Sequence, residues 1–239
     1  MARQFNGSSH SLQSASAIAL SSATVLTVAF WLYWDAFAND DKLCLESSAN
    51  FNSNDAFIIN PDSSSPSGVF VFGLHRAGGY NTRSIARPSA AAWHHYMFIY
   101  DSTTVTNMLA YVDGSSVTVT TQTGNNPGSG FGDYTLNVMS RNNASLWGAG
   151  RMNGLGIWTS ALTSGNASTL AGGTPPASVG SPVAAWNICG TSSPEPHSAG
   201  SVDLTVNSAT NVADAPSFTG CTAGTGVINP YCLLVTGVQ

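Results

Sequence analysis

Two adjacent histidines, His94 and His95, lie in the stretch AAWHHYMFIYD between Ala91 and Asp101. Paired histidines suggest a metal site or a general base. A metal site needs both rings on one side, but successive side chains of a strand point to opposite faces, so ligands there sit at i and i+2. Neither His94 with Tyr96 nor Trp93 with His95 supplies two good ligands. A catalytic role needs a carboxylate or a nucleophile nearby in space, and the local sequence does not exclude one. The pleat therefore favours a structural pair, with one ring hydrogen-bonded inside the fold and the other at its surface.

The carboxylates are sparse. The chain has two glutamates, Glu46 and Glu195, far apart and in loop-like surroundings. A retaining glycosidase places two carboxyl groups about 5–5.5 Å apart, and no segment here carries such a pair. No G-x-S-x-G, H-E-x-x-H or phosphate-loop pattern occurs either. These absences predict a protein without enzymatic activity. Asp40-Asp41 is the one acidic cluster, and with loop carbonyls it is the candidate for a calcium ion; no other cofactor is expected. Asp101 and Asp113 precede Ser and Gly at strand ends, where aspartate serves turns. Tyr80, Trp147 and Tyr231 are the aromatic candidates for stacking on a sugar ring, although core packing is the competing fate of Trp147.

These residues must be positioned by a chain of 239 residues with 43% hydrophobic and only 8% charged residues. The apolar content supports a sizeable core. The scarcity of charge, against an average of about 25%, leaves no charged helical face and favours an all-β fold. Seven Lys plus Arg, scattered singly in a net charge of -5, exclude a basic patch and hence nucleic acid as partner. A sparsely charged surface is also easily covered by neighbouring subunits, so self-association is expected. Of the four cysteines, Cys44, Cys189, Cys221 and Cys232, none forms a C-x-x-C pair. Cys221 and Cys232 could bridge a C-terminal loop, or all four could be small buried thiols.

Residues 15–34 are uncharged and end near an A-x-A triplet, Ala36-Phe37-Ala38, as a secretory signal would. Strand alternation describes them better. Leu26, Val28, Phe30, Leu32 and Trp34 share one face, and Thr27, Ala29, Trp31 and Tyr33 the other. A retained strand here points to assembly in a cytoplasm and leaves no membrane span. Further strands are expected at Phe5–Ser9, Leu43–Glu46, Ala56–Asn60, Val69–Leu74, Trp93–Tyr100, Tyr134–Met139, Gly154–Trp158, Val183–Ile188 and Val202–Val206. Asp113-Gly114 predicts a hairpin across Met108–Thr120. Thr163–Leu170 is the one expected helix, capped by Thr163. So many short strands define a sandwich or barrel. Its core is expected to contain Phe5, Phe30, Leu32, Trp93, Phe98, Tyr111, Leu155 and Ile157.

The segments AWHHYMFIYD and MLAYVDGSSV resemble the concanavalin A-like, laminin-G-type jelly roll. FNGSSHSL, TVLTVAFWLYWDAF and GRMNGLGIWTSALTSGNASTL are similar to its opening strand, a long strand, and its closing strand with short helix. The resemblance covers most of residues 5–175 in the expected order. It implies a two-sheet antiparallel jelly roll over residues 1–176, with residues 177–239 as a β-rich extension that completes the sandwich or docks on a partner. AAWNICGTSSPEPHSAGSVDLTVNSAT also resembles a segment that follows such jelly rolls in some bacteriophage proteins, though His197 stands where that segment often has Asp. The implied function is a virion component, a capsid decoration protein partnered by the major capsid protein or other virion proteins, with host-surface glycans as a further partner. The alternative is a secreted carbohydrate-binding or adhesion module.

Overall fold

The computed structural model describes residues 1–221 except 52, 191 and 217. In chain order its strands are β1 (Ala2–Asn6), β2 (Ser11–Ser14), β3 (Val25–Trp34), β4 (Leu45–Ser47), β5 (Phe57–Asn60), β6 (Val69–Arg76), β7 (Gly79–Ala86), β8 (Trp93–Asp101), β9 (Leu109–Val112), β10 (Ser115–Ser116), β11 (Thr120–Thr123), β12 (Leu136–Val138), β13 (Ala149–Trp158), β14 (Ala184–Trp186), β15 (His197–Ala199), β16 (Leu204–Asn207) and β17 (Thr210–Val212). One α-helix, α1 (Ser164–Ala171), follows β13. The first sheet runs β10-β9-β8-β3-β13-β1-β17, with β14 on β13 and β15 on β14; the second runs β11-β7-β6-β5-β4-β12-β2-β16. All strand pairs are antiparallel. This is the expected all-β, two-sheet jelly-roll sandwich.

The alternation read along β3 is the alternation observed. Leu26, Val28, Phe30, Leu32 and Trp34 are buried between the sheets, and Ala29 joins a second apolar cluster outside. Across the sandwich, Tyr96, Phe98 and Tyr100 of β8 meet Phe70, Phe72 and Phe57 of the second sheet, with ring centroids 4.8, 4.7 and 5.7 Å apart. Each such ring contributes about 1.5–3 kcal/mol by leaving water. Phe5, Leu155 and Ile157 are also in this core.

Two expected core residues lie elsewhere. Trp93 is half-buried on the outer face of the first sheet, edge-on to Tyr33 at 5.8 Å, its indole N–H 3.4 Å from Asp214. The pleat explains this, because residues 96, 98 and 100 of β8 point inward and position 93 has the opposite parity. Tyr111 is buried in the outer cluster, where Leu162, Ala167 and Leu170 of the α1 region cover Ala29, Met97 and Ile99. The helix begins as expected: Thr163 accepts the Asn166 backbone N–H, and Asn166 accepts the Thr163 N–H in return.

Strand β7 was not expected. Of its inward positions only Ile85 is apolar, since Asn81 and Arg83 stand opposite the core residues Leu74 and Phe72. Arg83 is buried and donates to the carbonyls of Thr82, Thr123, Gly124 and Val105. Backbone acceptors at the end of the sandwich thus satisfy a guanidinium where the pattern leads one to expect an apolar side chain. The Asp113-Gly114 hairpin forms as read, with φ of 50° and 79°, the positive values that a tight two-residue turn needs.

The chain beyond α1 returns to both sheets. Trp186, Ile188 and Leu204 enter the main core. Arg3 of β1 donates Nε to Glu195 Oε2 at 3.0 Å and Nη1 to the Ala209 carbonyl at 2.9 Å; Glu195 Oε1 accepts the Cys189 N–H at 2.6 Å. Cys189 and Cys221, with Cα atoms 5.3 Å apart, form a disulfide, and Cys44 is a buried free thiol. Cys221 is therefore bridged to Cys189, not to Cys232, because the fold brings the former within bonding reach. Cys232 lies outside the described residues.

Candidate functional site

A cleft of about 440 Å³ opens on the outer face of the second sheet, lined by Asp41, Leu43, Phe51, Ile58, Asn60, Tyr80, Arg141 and Leu146. Strand β5 supplies its floor. Phe57 and Ile59 point into the core, so Ile58 and Asn60 face outward. Three connections supply the walls. The β3–β4 loop brings Asp41 and Leu43, the β4–β5 loop brings Phe51, and the β12–β13 loop brings Arg141 and Leu146. Leu43, Phe51, Ala56 and Ile58 pack as a small apolar cluster, with Leu146 and Tyr134 against it.

Tyr80, at the start of β7, is the exposed aromatic of the cleft, with 49% of its surface open. Its ring stacks on Phe51 at 5.4 Å and 23°, and meets His75 edge-on at 4.9 Å. It is an exposed ring held by two neighbours, so little side-chain freedom remains to be lost when a ligand stacks on it.

Asp41 adopts φ 62° in its loop, and its carboxylate accepts Asn60 Nδ2 at 3.0 Å, the Ser64 N–H at 2.9 Å, and the Ser64 hydroxyl. Partial burial raises its pKa, but the Ser64 and Asn60 hydrogen bonds outweigh that and hold the carboxyl below the ordinary value. Asp40 points elsewhere and pairs with Lys42 at 3.0 Å. Both candidate calcium ligands thus have protein partners. Among the described residues, no group of three or more His, Cys, Asp or Glu side chains is arranged to hold a metal ion.

Arg141 is anchored from below. Its Nε donates at 3.0 Å to Oε2 of Glu46, which lies in β4 rather than a loop and has no exposure to solvent. Burial pushes the Glu46 pKa up to about 7, against the pull of Arg141. The cleft therefore combines an exposed aromatic ring, apolar walls, an amide, an ionised carboxylate and a guanidinium. That set suits a ligand with one apolar face and a rim of hydroxyl groups.

Of the residues nominated from sequence, the fold brings Asp41 and Tyr80 together. Trp147 is half-buried and outside the lining, one residue beyond Leu146. Tyr231 lies outside the described residues. Phe51, Asn60 and Arg141 were not nominated. Phe51 carried a signal, a lone large apolar residue within the polar run SSANFNSND. His95 is buried as one ring was expected to be, but its ring is edge-on to Trp31 at 5.3 Å and its Nδ1 has no partner among the described residues; burial lowers its pKa to about 4, against the raising effect of Asp113. It lies on the outer face of its sheet, where an indole and not an acceptor is its neighbour.

The sequence profile of the concanavalin A-like lectin/glucanases superfamily matches residues 6–167, and the chain belongs to this family. No curated protein matches the chain by sequence. Among solved structures, a Bacteroides ovatus protein assigned as carbohydrate binding is similar at a TM-score of 0.68 and 17% identity, over 90% of this chain and 60% of that one. Domain 4 of an extracellular arabinanase from Geobacillus stearothermophilus, solved with arabinotriose, is similar at 0.53 and 15% identity, over 71% and 76%. A heptameric pentraxin from Limulus polyphemus is similar at 0.53 and 17%, over 71% and 81%. At these identities the likeness is one of fold.

Proposed function

We propose that this protein is a carbohydrate-binding module and that the Tyr80 cleft holds the sugar without cleaving it. The observation that carries the reading is the braced, exposed Tyr80 ring beside Asp41, Asn60 and Arg141. A pyranose or furanose offers a C–H face to such a ring and hydroxyl groups to such a rim. Two of the structural neighbours support it, one solved with arabinotriose and one assigned as carbohydrate binding. The Cys189–Cys221 disulfide supports an extracellular setting, since such bonds persist in oxidising compartments. Capsid decoration rests on the sequence resemblance and the sparse surface charge alone, and no neighbour adds to it.

The test is a glycan array that includes arabinans, followed by calorimetry on the best ligand. Tyr80→Ala should weaken that ligand at least about tenfold, the loss of roughly 1.4 kcal/mol. Failure of the native protein to retain any glycan at millimolar concentration sinks the reading.

A further inference from the structure

His94 has in space the two partners that its local sequence lacks. Its Nδ1 lies 2.7 Å from Oδ2 of Asp113, and its Nε2 lies 3.2 Å from Oγ of Ser89. The other oxygen of Asp113, Oδ1, accepts the His95 backbone N–H at 2.9 Å, and the Asp113 N–H donates to the His95 carbonyl at 2.9 Å. Both carboxylate oxygens are thereby fixed. With Asp113 accepting from Nδ1–H, the neutral ring keeps Nε2 as the acceptor for the Ser89 hydroxyl. Three segments meet to build this chain of bonds: the β7–β8 connection with Ser89, the start of β8, and the β9–β10 turn. Ser89 is exposed, and Ala91, two residues on, is held at φ 55° with its N–H on the Trp34 carbonyl at 2.8 Å. None of these residues lines the cleft.

We propose that Ser89, His94 and Asp113 form an acyl-transfer centre that hydrolyses small carboxylic esters, an activity separate from glycan binding. Ser89 Oγ bonds to the ester carbonyl carbon as its proton passes to His94 Nε2. The bond to the leaving oxygen breaks, and the departing alcohol takes the proton from Nε2. Water then attacks the acyl-serine, giving a proton to Nε2, and that proton returns to Ser89 Oγ as the carboxylic acid leaves. Asp113 positions the ring and balances its charge while it is protonated. The Ala90 N–H, next to the nucleophile, donates to no backbone carbonyl among the described residues and is the candidate oxyanion donor. The absence of a G-x-S-x-G pattern is no obstacle, because such relays are defined by geometry and roles and recur in unrelated chain orders. The lack of paired carboxylates bears on glycoside hydrolysis and not on acyl transfer.

The full chain is treated with a fluorophosphonate probe and digested for mass spectrometry, and 4-nitrophenyl acetate hydrolysis is measured in parallel. The expected result is a covalent adduct on the peptide carrying Ser89, lost in Ser89→Ala, with ester turnover in that variant down about 100-fold or more. Ser89 is exposed and, among the described residues, its side chain bonds only to His94, so the variant keeps the fold. Asp113→Asn tolerates the left-handed turn position and should lower kcat with KM unchanged. No adduct at Ser89, or Ser89→Ala turning over at the native rate as unspecific imidazole hydrolysis would, overturns the proposal.

Discussion

Arg141 and Glu46 meet on the outer face of the second sheet, with Nε of one donating to Oε2 of the other at 3.0 Å while Oε1 of Glu46 has no partner among the described residues. A half-satisfied buried carboxylate is costly to ionise, and this one has its pKa raised from 4.5 to about 7. A raised carboxylate pKa means that the native state binds the extra proton between these values. The contribution is therefore fully present below about pH 4.5, falls as pH rises through the window, and is gone above about pH 7. Glu46→Gln should match the native protein near pH 4.5 and exceed its stability at pH 8 by roughly 2–3 kcal/mol. Urea unfolding at the two pH values checks this, and equal differences at both would refute it.

Phe51→Ala removes the ring on which Tyr80 stacks. Tyr80 then has more rotamers to lose on binding, at roughly 0.5–1.5 kcal/mol for an ordered side chain. Glycan affinity measured by calorimetry on the folded variant should fall several-fold. An unchanged affinity would show that Tyr80 needs no brace.

Cys189→Ser opens a disulfide that spans 32 residues of sequence. The expected loss is about 2–4 kcal/mol, larger than most surface changes produce. Denaturant midpoints with and without reductant measure it. A native protein indifferent to reductant would show that the bond adds nothing.

Truncation after Pro176 deletes Trp186, Ile188 and Leu204 from the main core, along with the Glu195 partner of buried Arg3. Arg3 would be left as an uncompensated buried charge, at about 3–5 kcal/mol, beside the lost apolar contacts. The shortened chain should lose its near-ultraviolet circular dichroism. A cooperative, native-like melt would instead make residues 1–176 an independent domain.

Some of this protein was legible locally. The period of two along Leu26 to Trp34, the Asp113-Gly114 turn and the Thr163 cap are each set by neighbours a few residues apart. The family resemblance added the order of the elements. Strand β7 was hidden because Asn81 and Arg83 face inward, which the backbone of Asn126 makes tolerable for the amide and carbonyls from Thr82, Val105, Thr123 and Gly124 for the guanidinium. Trp93 falls outside the core because it has the opposite parity along β8 to Tyr96, Phe98 and Tyr100.

The sequence by itself determined an all-β sandwich or barrel, since apolar alternation and turn chemistry act within single strands; the two-sheet jelly roll was what the family resemblance implied. It nominated Asp41 and Tyr80 as separate possibilities, with nothing to join them. Their meeting with Phe51, Asn60 and Arg141 was decided by the pairing of β4, β5, β6 and β7 and by the loops folding over that face. The same holds for Ser89, His94 and Asp113, and for Cys189 with Cys221. Strand register and loop paths depend on long-range packing of the whole core, and that is information no local spacing of residues contains.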